Sequence, residues 1–238
     1  MSLSREKIAI QHGPVQLDGH LIYQEGIQTP LPTVMVCHAW AGCDAFAVRS
    51  AERLAELGYA GFAADLYGEG RVGASKEENA ALMQPLLEDR GLLRERLVAI
   101  YESLRDLAPV EAEKIAAIGY CFGGLCALDL ARSGSPLAGV ASFHGLLPAP
   151  QGLATEKIPG KVLVLHGYLD PMVPSEQVLA LEKEMAEAGA DWQLHTYGNA
   201  LHAFTNPEAN DPEFGTVYNA AADERSWQSL THFLKEVF

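Results

Sequence analysis

Residues 119–123 read GYCFG, which places Cys121 between two glycines where an apolar run meets a helix-like run. Glycines at these positions permit the tight strand-to-helix turn that raises a nucleophile above a sheet. The first turn of the helix supplies amide donors and positive partial charge, which favour a thiolate. The pattern predicts a reactive cysteine. The alternative for so short a motif is a buried sulfur that fills the core.

Two further strand ends carry the groups that such a nucleophile needs. Asp170 comes a few residues after the apolar run VLVLHG, and His202 follows the run LHTYG in the same way. The chain order of nucleophile, acid and histidine is the order of the α/β-hydrolase triad. We therefore expect Cys121, Asp170 and His202 to meet beyond the carboxyl ends of parallel strands, where ligands bind on such sheets.

Apolar strand-like runs and helix-like runs alternate along the chain, after a leading antiparallel pair at 7–13 and 15–24. Continuous apolar strands between helices indicate the α/β class, with a mostly parallel central sheet and helices on both faces. We expect a single α/β-hydrolase domain over residues 1–238. The long loop at 206–220 is expected to be functional, because such loops are uncommon in compact domains.

Several helix ends are marked by local sequence. Asp44 is expected to cap a helix that Gly58 ends. Ser75 begins a second helix, which Pro85 is expected to bend or divide. The closing helix is predicted from Ser226 onward.

Composition excludes several classes of partner. The formal charge is −14, from 17 basic and 31 acidic side chains, which argues against nucleic acid and anionic membranes as partners. We expect no secretory signal and no membrane span, since no apolar run is long enough. The four cysteines form no Cys-x-x-Cys pair, which predicts free thiols in a reducing cytoplasm. Cys37, His38 and Cys43 could contact a metal, but structural sites need four ligands at tighter spacing, so none is predicted.

The chain resembles the dienelactone hydrolase family of α/β-hydrolases over nearly its whole length. The segments GYCFGG, HGYLDPMVP, ALHAF and AADLYG look like signatures of that family, and most other α/β-hydrolases carry serine at the nucleophile position. The resemblance implies that Cys121 is the nucleophile, His202 the base and Asp170 the residue that orients it. The oxyanion donors of such sites follow the nucleophile and the third strand, so the backbone amides of Phe122 and Ala39 are the candidates.

Two positions depart from the founding members of the family. The resemblance implies a glutamate beside the thiol, where this chain has His38, and an arginine soon after the catalytic histidine, where it has Thr205 and Asn206. Arg71 is the plausible replacement for the arginines that bind a substrate carboxylate, with a solvated surface role as its alternative. We therefore expect neutral substrates to be preferred.

Other residues near these positions are candidates for the substrate pocket. His38 is one, with structural hydrogen bonding as its alternative. The expected walls of an apolar pocket are Trp40, Tyr168 and Phe204. His144 and His166 also end strands, and either could line the pocket, but structural hydrogen bonding is expected for both.

The leading hypothesis is a hydrolase of small esters or lactones that forms an acyl-thioester on Cys121, without a metal or an organic cofactor. A thioesterase or acyltransferase with the same residues is the second hypothesis. The third is an idle α/β-hydrolase scaffold with a binding role. The spacing of the triad favours an enzyme, whereas the missing glutamate and arginines favour the scaffold.

Overall fold

A computed structural model describes residues 2–28 and 30–238 of the chain. These residues form two compact units, one ending at Ile118 and the other spanning Gly119–Phe238. The boundary falls inside a strand, Val110–Tyr120, and the single domain stays a prediction.

The elements up to this boundary strand are β1 (Leu3–His12), β2 (Val15–Gln24), β3 (Leu31–Cys37), α1 (Ala45–Glu56), β4 (Ala60–Ala64), α2 (Lys76–Glu88), α3 (Arg90–Arg105) and β5 (Val110–Tyr120). The elements that follow are α4 (Phe122–Arg132), β6 (Gly139–Phe143), β7 (Lys161–Gly167), α5 (Ser175–Glu187), β8 (Asp191–Tyr197), β9 (Asn210–Asp211), β10 (Thr216–Val217) and α6 (Ala220–Val237).

The first unit carries the strand order β1-β2-β4-β3. β1 and β2 form the antiparallel pair that the sequence predicts, β2 pairs antiparallel with β4, and β3 pairs parallel with β4. Every residue of β4 is buried, so both of its faces are covered. Helix α1 packs against β2, β3 and β4. It approaches closely at Gly61, where a Cβ atom would lie 2.2 Å from the carbonyl oxygen of Ala51.

The second unit carries the order β6-β7-β8, with parallel pairing throughout. Helix α4 packs on β6, and α6 packs on β6 and β7. All residues of β6 are buried, as expected for a parallel strand between helices. The predicted α/β fold with a mostly parallel sheet is confirmed. In the described ranges, no helix has the length and apolar character that crossing a membrane requires.

In the first unit, the helix ends lie at the capping residues that the sequence predicts, except at Pro85. Asp44 caps α1 as predicted, because its carboxylate accepts hydrogen bonds from the amides of Phe46 and Ala47 at 3.0 and 3.1 Å. Pro85 does not divide its helix but lies inside α2. The break comes at Asp89, whose carboxylate caps α3 by accepting from the Leu92 amide at 2.8 Å.

The segment 206–220 is more regular than predicted. It contains β9 and β10, which pair antiparallel with each other. The closing helix α6 begins at Ala220 rather than at Ser226. The earlier start follows from Asn219, whose side-chain oxygen accepts from the Ala222 amide at 3.1 Å and caps the helix.

A buried arginine joins the helices of the second unit. The guanidinium of Arg132, in α4, is 0% exposed and bonds Asp129 in the same helix at 3.1 Å. It also donates two hydrogen bonds to Glu184 of α5, at 2.9 and 2.8 Å, and one to the carbonyl oxygen of Leu147 at 2.8 Å. The buried polar groups of this network are all hydrogen-bonded only when α4 and α5 keep their relative positions. The network therefore fixes α4, whose N-cap residue is Cys121, relative to α5.

We expect Arg132→Met to lower the free energy of unfolding by about 3–5 kcal/mol, because it removes the cation from two carboxylates at a buried site. Urea unfolding measures the change. The matched control is Arg49→Met, which removes a 58% exposed arginine that also contacts two carboxylates and should cost at most about 1 kcal/mol. Equal losses in the two variants would contradict the structural role of the buried network.

Candidate active site

Cys121 occupies the single residue between β5 and α4, and its backbone is strained. Its φ and ψ are 56° and −117°, a conformation that residues other than glycine rarely adopt. The Cys121 amide donates to the carbonyl of Phe143 at 3.0 Å, and the Cys121 carbonyl accepts from the Gly124 amide at 3.0 Å. These bonds hold a sharp turn that leaves the side chain partly exposed.

Glycines make this turn possible. A Cβ atom on Gly119 would lie 2.0 Å from the carbonyl oxygen of Gly123, and one on Gly124 would lie 2.6 Å from Oγ of Ser142. Neither distance is tolerated by real side chains, so α4 approaches β5 closely only with glycine at 119, and approaches Ser142 of β6 closely only with glycine at 124.

Asp170 and His202 are hydrogen-bonded, as their spacing predicts. Nδ1 of His202 lies 2.7 Å from Oδ2 of Asp170, and both side chains are almost fully buried. The other carboxylate oxygen, Oδ1, accepts from the Met172 amide at 2.8 Å. Because each oxygen of Asp170 has a partner, the carboxylate itself is fixed in place and keeps Nδ1 of the His202 ring directed at it.

The 206–220 segment holds the backbone of His202. The His202 amide donates to Gly215 at 3.0 Å, and the Val217 amide donates to the His202 carbonyl at 3.1 Å. Gly215 has a φ of 84° and lies against Pro171, where a Cβ atom would come 2.2 Å from the proline ring. Only glycine fits there. Because Gly215 bonds the backbone of His202 and packs on Pro171, which follows Asp170, this loop contacts the chain beside both residues of the hydrogen-bonded pair.

The charge state of His202 depends on its two neighbours. Burial lowers the pKa of His202, but the neighbouring Cys121 and the hydrogen bond that the ring donates to Asp170 raise it, to about 10. Its Nε2 atom has no hydrogen-bond partner in the described part of the chain. The Cys121 side chain nevertheless acts on His202 closely enough to raise its pKa, and a protonated ring in this position is suited to stabilise a thiolate.

His38 is buried in the first unit with both ring nitrogens engaged. Its Nδ1 donates to the carbonyl of Ala39 at 2.6 Å, and its Nε2 accepts from the Leu66 amide at 3.2 Å. Burial lowers its pKa, which fits a neutral ring. These bonds favour the structural alternative, since neither nitrogen is left for a thiol or a substrate.

Arg71 and Trp40 contact the same segment of the first unit. Arg71 donates from Nε to the Gly68 carbonyl at 3.1 Å and from Nη2 to the Tyr67 carbonyl. The Tyr67 hydroxyl donates to the Trp40 carbonyl at 2.9 Å. Arg71 is exposed but partly engaged, so its contact with a substrate carboxylate stays a prediction.

The remaining predicted residues lie in the second unit. Phe122 is the first residue of α4, so its amide is at the helix N-terminus beside Cys121. Tyr168 is 67% exposed, whereas Phe204 is fully buried with its ring against His144 and Tyr197. Phe204 thus supports other side chains, and the oxyanion and pocket roles stay predictions.

Sequence reasoning missed the partner of His144. Its Nε2 lies 2.8 Å from Oγ1 of Thr205, a residue 61 positions away, and both are buried. This is the structural hydrogen bond expected of His144. For His166 the expectation stays a prediction, since its buried Nδ1 has no partner among the described residues and no bond of its Nε2 is established. The described ranges also contain no group of three or more histidine, cysteine or acidic side chains placed to hold a metal ion.

Comparisons with known proteins identify the family of this chain. The model of the dienelactone hydrolase family matches residues 17–238. A solved structure named m3DLH is 37% identical with a TM-score of 0.94, covering 99% of each chain. A dienelactone hydrolase-like promiscuous phosphotriesterase from metagenomic libraries is 36% identical with a TM-score of 0.94, covering 100% of each chain. A relative from Aquifex aeolicus, for which carboxymethylenebutenolidase activity is proposed, is 25% identical over 86% of this chain and 87% of its own.

The four cysteines are expected to differ sharply in reactivity. Burial raises the pKa of Cys37 to about 12, and burial together with Asp65 and Asp44 raises that of Cys43 to about 12. Their thiolates form only at high pH, and Cys126 is fully buried. Limiting iodoacetamide near neutral pH should therefore modify Cys121 first, as peptide mass mapping can show. Earlier labelling of any other cysteine would contradict the assignment, and Cys121→Ala serves as the unreactive control.

Proposed function

Since the chain belongs to the dienelactone hydrolase family, we propose that it hydrolyses small esters or lactones with Cys121 as nucleophile, His202 as acid and base, and Asp170 as the residue that orients His202. One observation carries the proposal. The buried His202–Asp170 hydrogen bond of 2.7 Å belongs to the same unit as a strained cysteine whose charge acts on that histidine.

The first half of the proposed reaction forms a thioester. The Cys121 thiolate attacks the substrate carbonyl carbon, and the carbonyl electron pair moves onto oxygen. The amides of Phe122 and Ala39 are the proposed donors to this oxyanion. When the carbon–oxygen bond to the leaving group breaks, His202 gives its proton to the departing oxygen. In a lactone this oxygen stays attached to the acyl chain.

The second half releases the acid. Neutral His202 takes a proton from water while the water oxygen attacks the thioester carbonyl, and the Cys121 thiolate leaves as the tetrahedral intermediate collapses. This restores the thiolate and the protonated histidine. Asp170 stays ionised throughout and stabilises the imidazolium.

Two alternatives to an ester or lactone hydrolase are kept. A thioesterase or acyltransferase would use the same residues and differ in its acyl donor or acceptor. A relative is named a promiscuous phosphotriesterase, so phosphotriesters belong in the substrate screen beside esters and lactones. An idle scaffold would bind such compounds without turnover.

The cytoplasmic location and the absence of nucleic-acid partners stay predictions.

Replacing the nucleophile separates the enzyme from the scaffold. We expect Cys121→Ala to lower kcat for a simple aryl ester by at least about a thousandfold, because no other group forms the acyl intermediate. Cys43→Ala is the matched control and should retain activity. Intact-protein mass spectrometry of the wild type with a slow ester should detect one acyl group, located on Cys121. Turnover that survives in Cys121→Ala would contradict the proposed mechanism.

Substrate charge gives a second test of the pocket. Thr205 bonds His144, Asn206 accepts from the Glu208 amide, and Arg71 is partly engaged by backbone carbonyls. An ester with a free carboxylate therefore lacks a ready cation. Its kcat/KM should be lower than that of the matching methyl ester by about tenfold to a hundredfold, or roughly 1–3 kcal/mol.

The measurement compares the two esters at moderate salt in the wild type and in Arg71→Ala. Equal preference for the neutral ester in both proteins supports the prediction. A wild-type preference for the acid that disappears in Arg71→Ala would identify Arg71 as the carboxylate-binding residue instead.

A further inference from the structure

His144 takes no part in the proposed reaction, yet its ring lies against His202. The ring centroids are 5.2 Å apart with an interplanar angle of 66°, and His144 is only 2% exposed. His144 directly follows β6 with a φ of 37°, a conformation unfavourable for a residue with a side chain. Backbone strain of this kind persists only where the surroundings hold it, and it clusters at functional sites.

Thr205 fixes the orientation of His144. Its hydroxyl lies 2.8 Å from Nε2 of His144, and Thr205 is itself buried. The other nitrogen, Nδ1, is buried with no partner in the ranges that the structure describes. One hydrogen bond thus sets the rotation of the ring. Because Thr205 is three residues after His202, the same short segment carries one histidine and holds the other.

His202 needs this second restraint. Its ring makes one side-chain hydrogen bond within the described residues, from Nδ1 to Asp170, while Nε2 has no partner at hydrogen-bond distance. A single bond at Nδ1 leaves the tilt of the ring unrestrained, yet the tilt decides whether Nε2 is directed at the reacting atoms. The edge-to-face contact with His144 restricts it.

A neutral His144 is suited to restrain the ring of His202, because His202 carries a positive charge when it is protonated. Burial and the charge on His202 lower the pKa of His144 well below its usual range. His166, whose pKa burial also lowers, is the other histidine whose charge interacts with His202. The acidic groups acting on His202 are Cys121 and Asp170. An uncharged His144 therefore packs against protonated His202 without repelling it.

We propose that His144, held by Thr205, is a positioning residue that keeps the ring of His202 aligned with Cys121. The inference rests on the proposed function, because it assigns the alignment to the same reaction.

Thr205→Val tests the pair by removing the hydroxyl while keeping the shape of the side chain. We expect kcat for an aryl ester to fall about tenfold to a hundredfold with KM unchanged, since misalignment of a reacting group affects the chemical step. The rate of Cys121 alkylation by iodoacetamide should also reach half its maximum at a higher pH, because a misaligned imidazolium stabilises the thiolate less. The conservative Thr205→Ser should restore both properties.

Ser229→Ala is the matched control. It removes a hydroxyl from another histidine of the same unit, His195, whose Nδ1 lies 3.2 Å from Oγ of Ser229. This variant should keep the wild-type kcat and alkylation profile. Melting temperatures of all variants are measured together. If Thr205→Val does not fold, His144→Phe, which keeps an aromatic ring but cannot bond Thr205, is expected to show the same two changes.

Two results would overturn the inference. One is a folded Thr205→Val or His144→Phe with wild-type kcat and alkylation profile. The other is lower activity with an unchanged alkylation profile and a lower melting temperature, which indicates support of the fold alone. Alkylation needs no substrate, so this readout stands even if esters are not turned over. Turnover that persists in Cys121→Ala would refute the proposed function separately.

Discussion

The second unit is arranged around a buried histidine whose pKa is raised by its neighbours. His202 is 1% exposed, and its pKa is raised to about 10, so the ring carries a proton away from water. Burying an ion costs several kcal/mol unless partners of opposite charge are close. Asp170 and Cys121 meet this need, which requires the turn after β5, the loop after β7 and the loop after β8 to converge. The positive φ values at Cys121 and Ala203, of 56° and 58°, lie in two of these segments, and His144, with a φ of 37°, follows the neighbouring strand β6.

Part of this arrangement could be predicted because it follows from periodicity and from strand ends. Asp170 and His202 each follow an apolar run, and parallel strands bring their carboxyl ends to one edge. Asp44 could be predicted as a cap because capping is local. Pro85 was harder to interpret, since a proline and a capping aspartate stand four residues apart and the cap at Asp89 decides where the helix ends.

Contacts between distant positions could not be predicted from one sequence. Nothing local in SFHG or HAFTNP indicates that His144 and Thr205 are bonded, because the pairing depends on the exact path of two loops. The same holds for Gly215 against Pro171. His38 shows the opposite difficulty. Its position at the end of a buried strand suggests a chemical role, but backbone groups of Ala39 and Leu66 are hydrogen-bonded to its two ring nitrogens.

The signature AADLYG illustrates how a family motif can be structural. Asp65 accepts hydrogen bonds from the amides of Tyr67, Gly68 and Gly70, at 3.0, 2.9 and 2.8 Å. The carbonyl of Tyr67 accepts from Arg71 and from Arg96. This turn requires one side chain that accepts hydrogen bonds from three amides. Few residue types can do so, which means that backbone hydrogen bonding alone can constrain the sequence of the motif. Motifs in this chain therefore combine residues that the backbone requires with residues suited to chemistry.

The segment between His202 and α6 is attached mainly through its main chain. Hydrogen bonds join the Asn206 amide to Ala203, the Asn219 amide to Phe204, and both backbone groups of His202 to the returning strand. Apart from Gly215, none of these attachments depends on a particular side chain. The tip of the loop, residues 207–214, can therefore accept substitutions while the histidine stays in place, with Asp211 kept because its carboxylate accepts from the Phe214 amide at 2.9 Å. Library design can target this tip without altering the hydrogen bonds that hold His202.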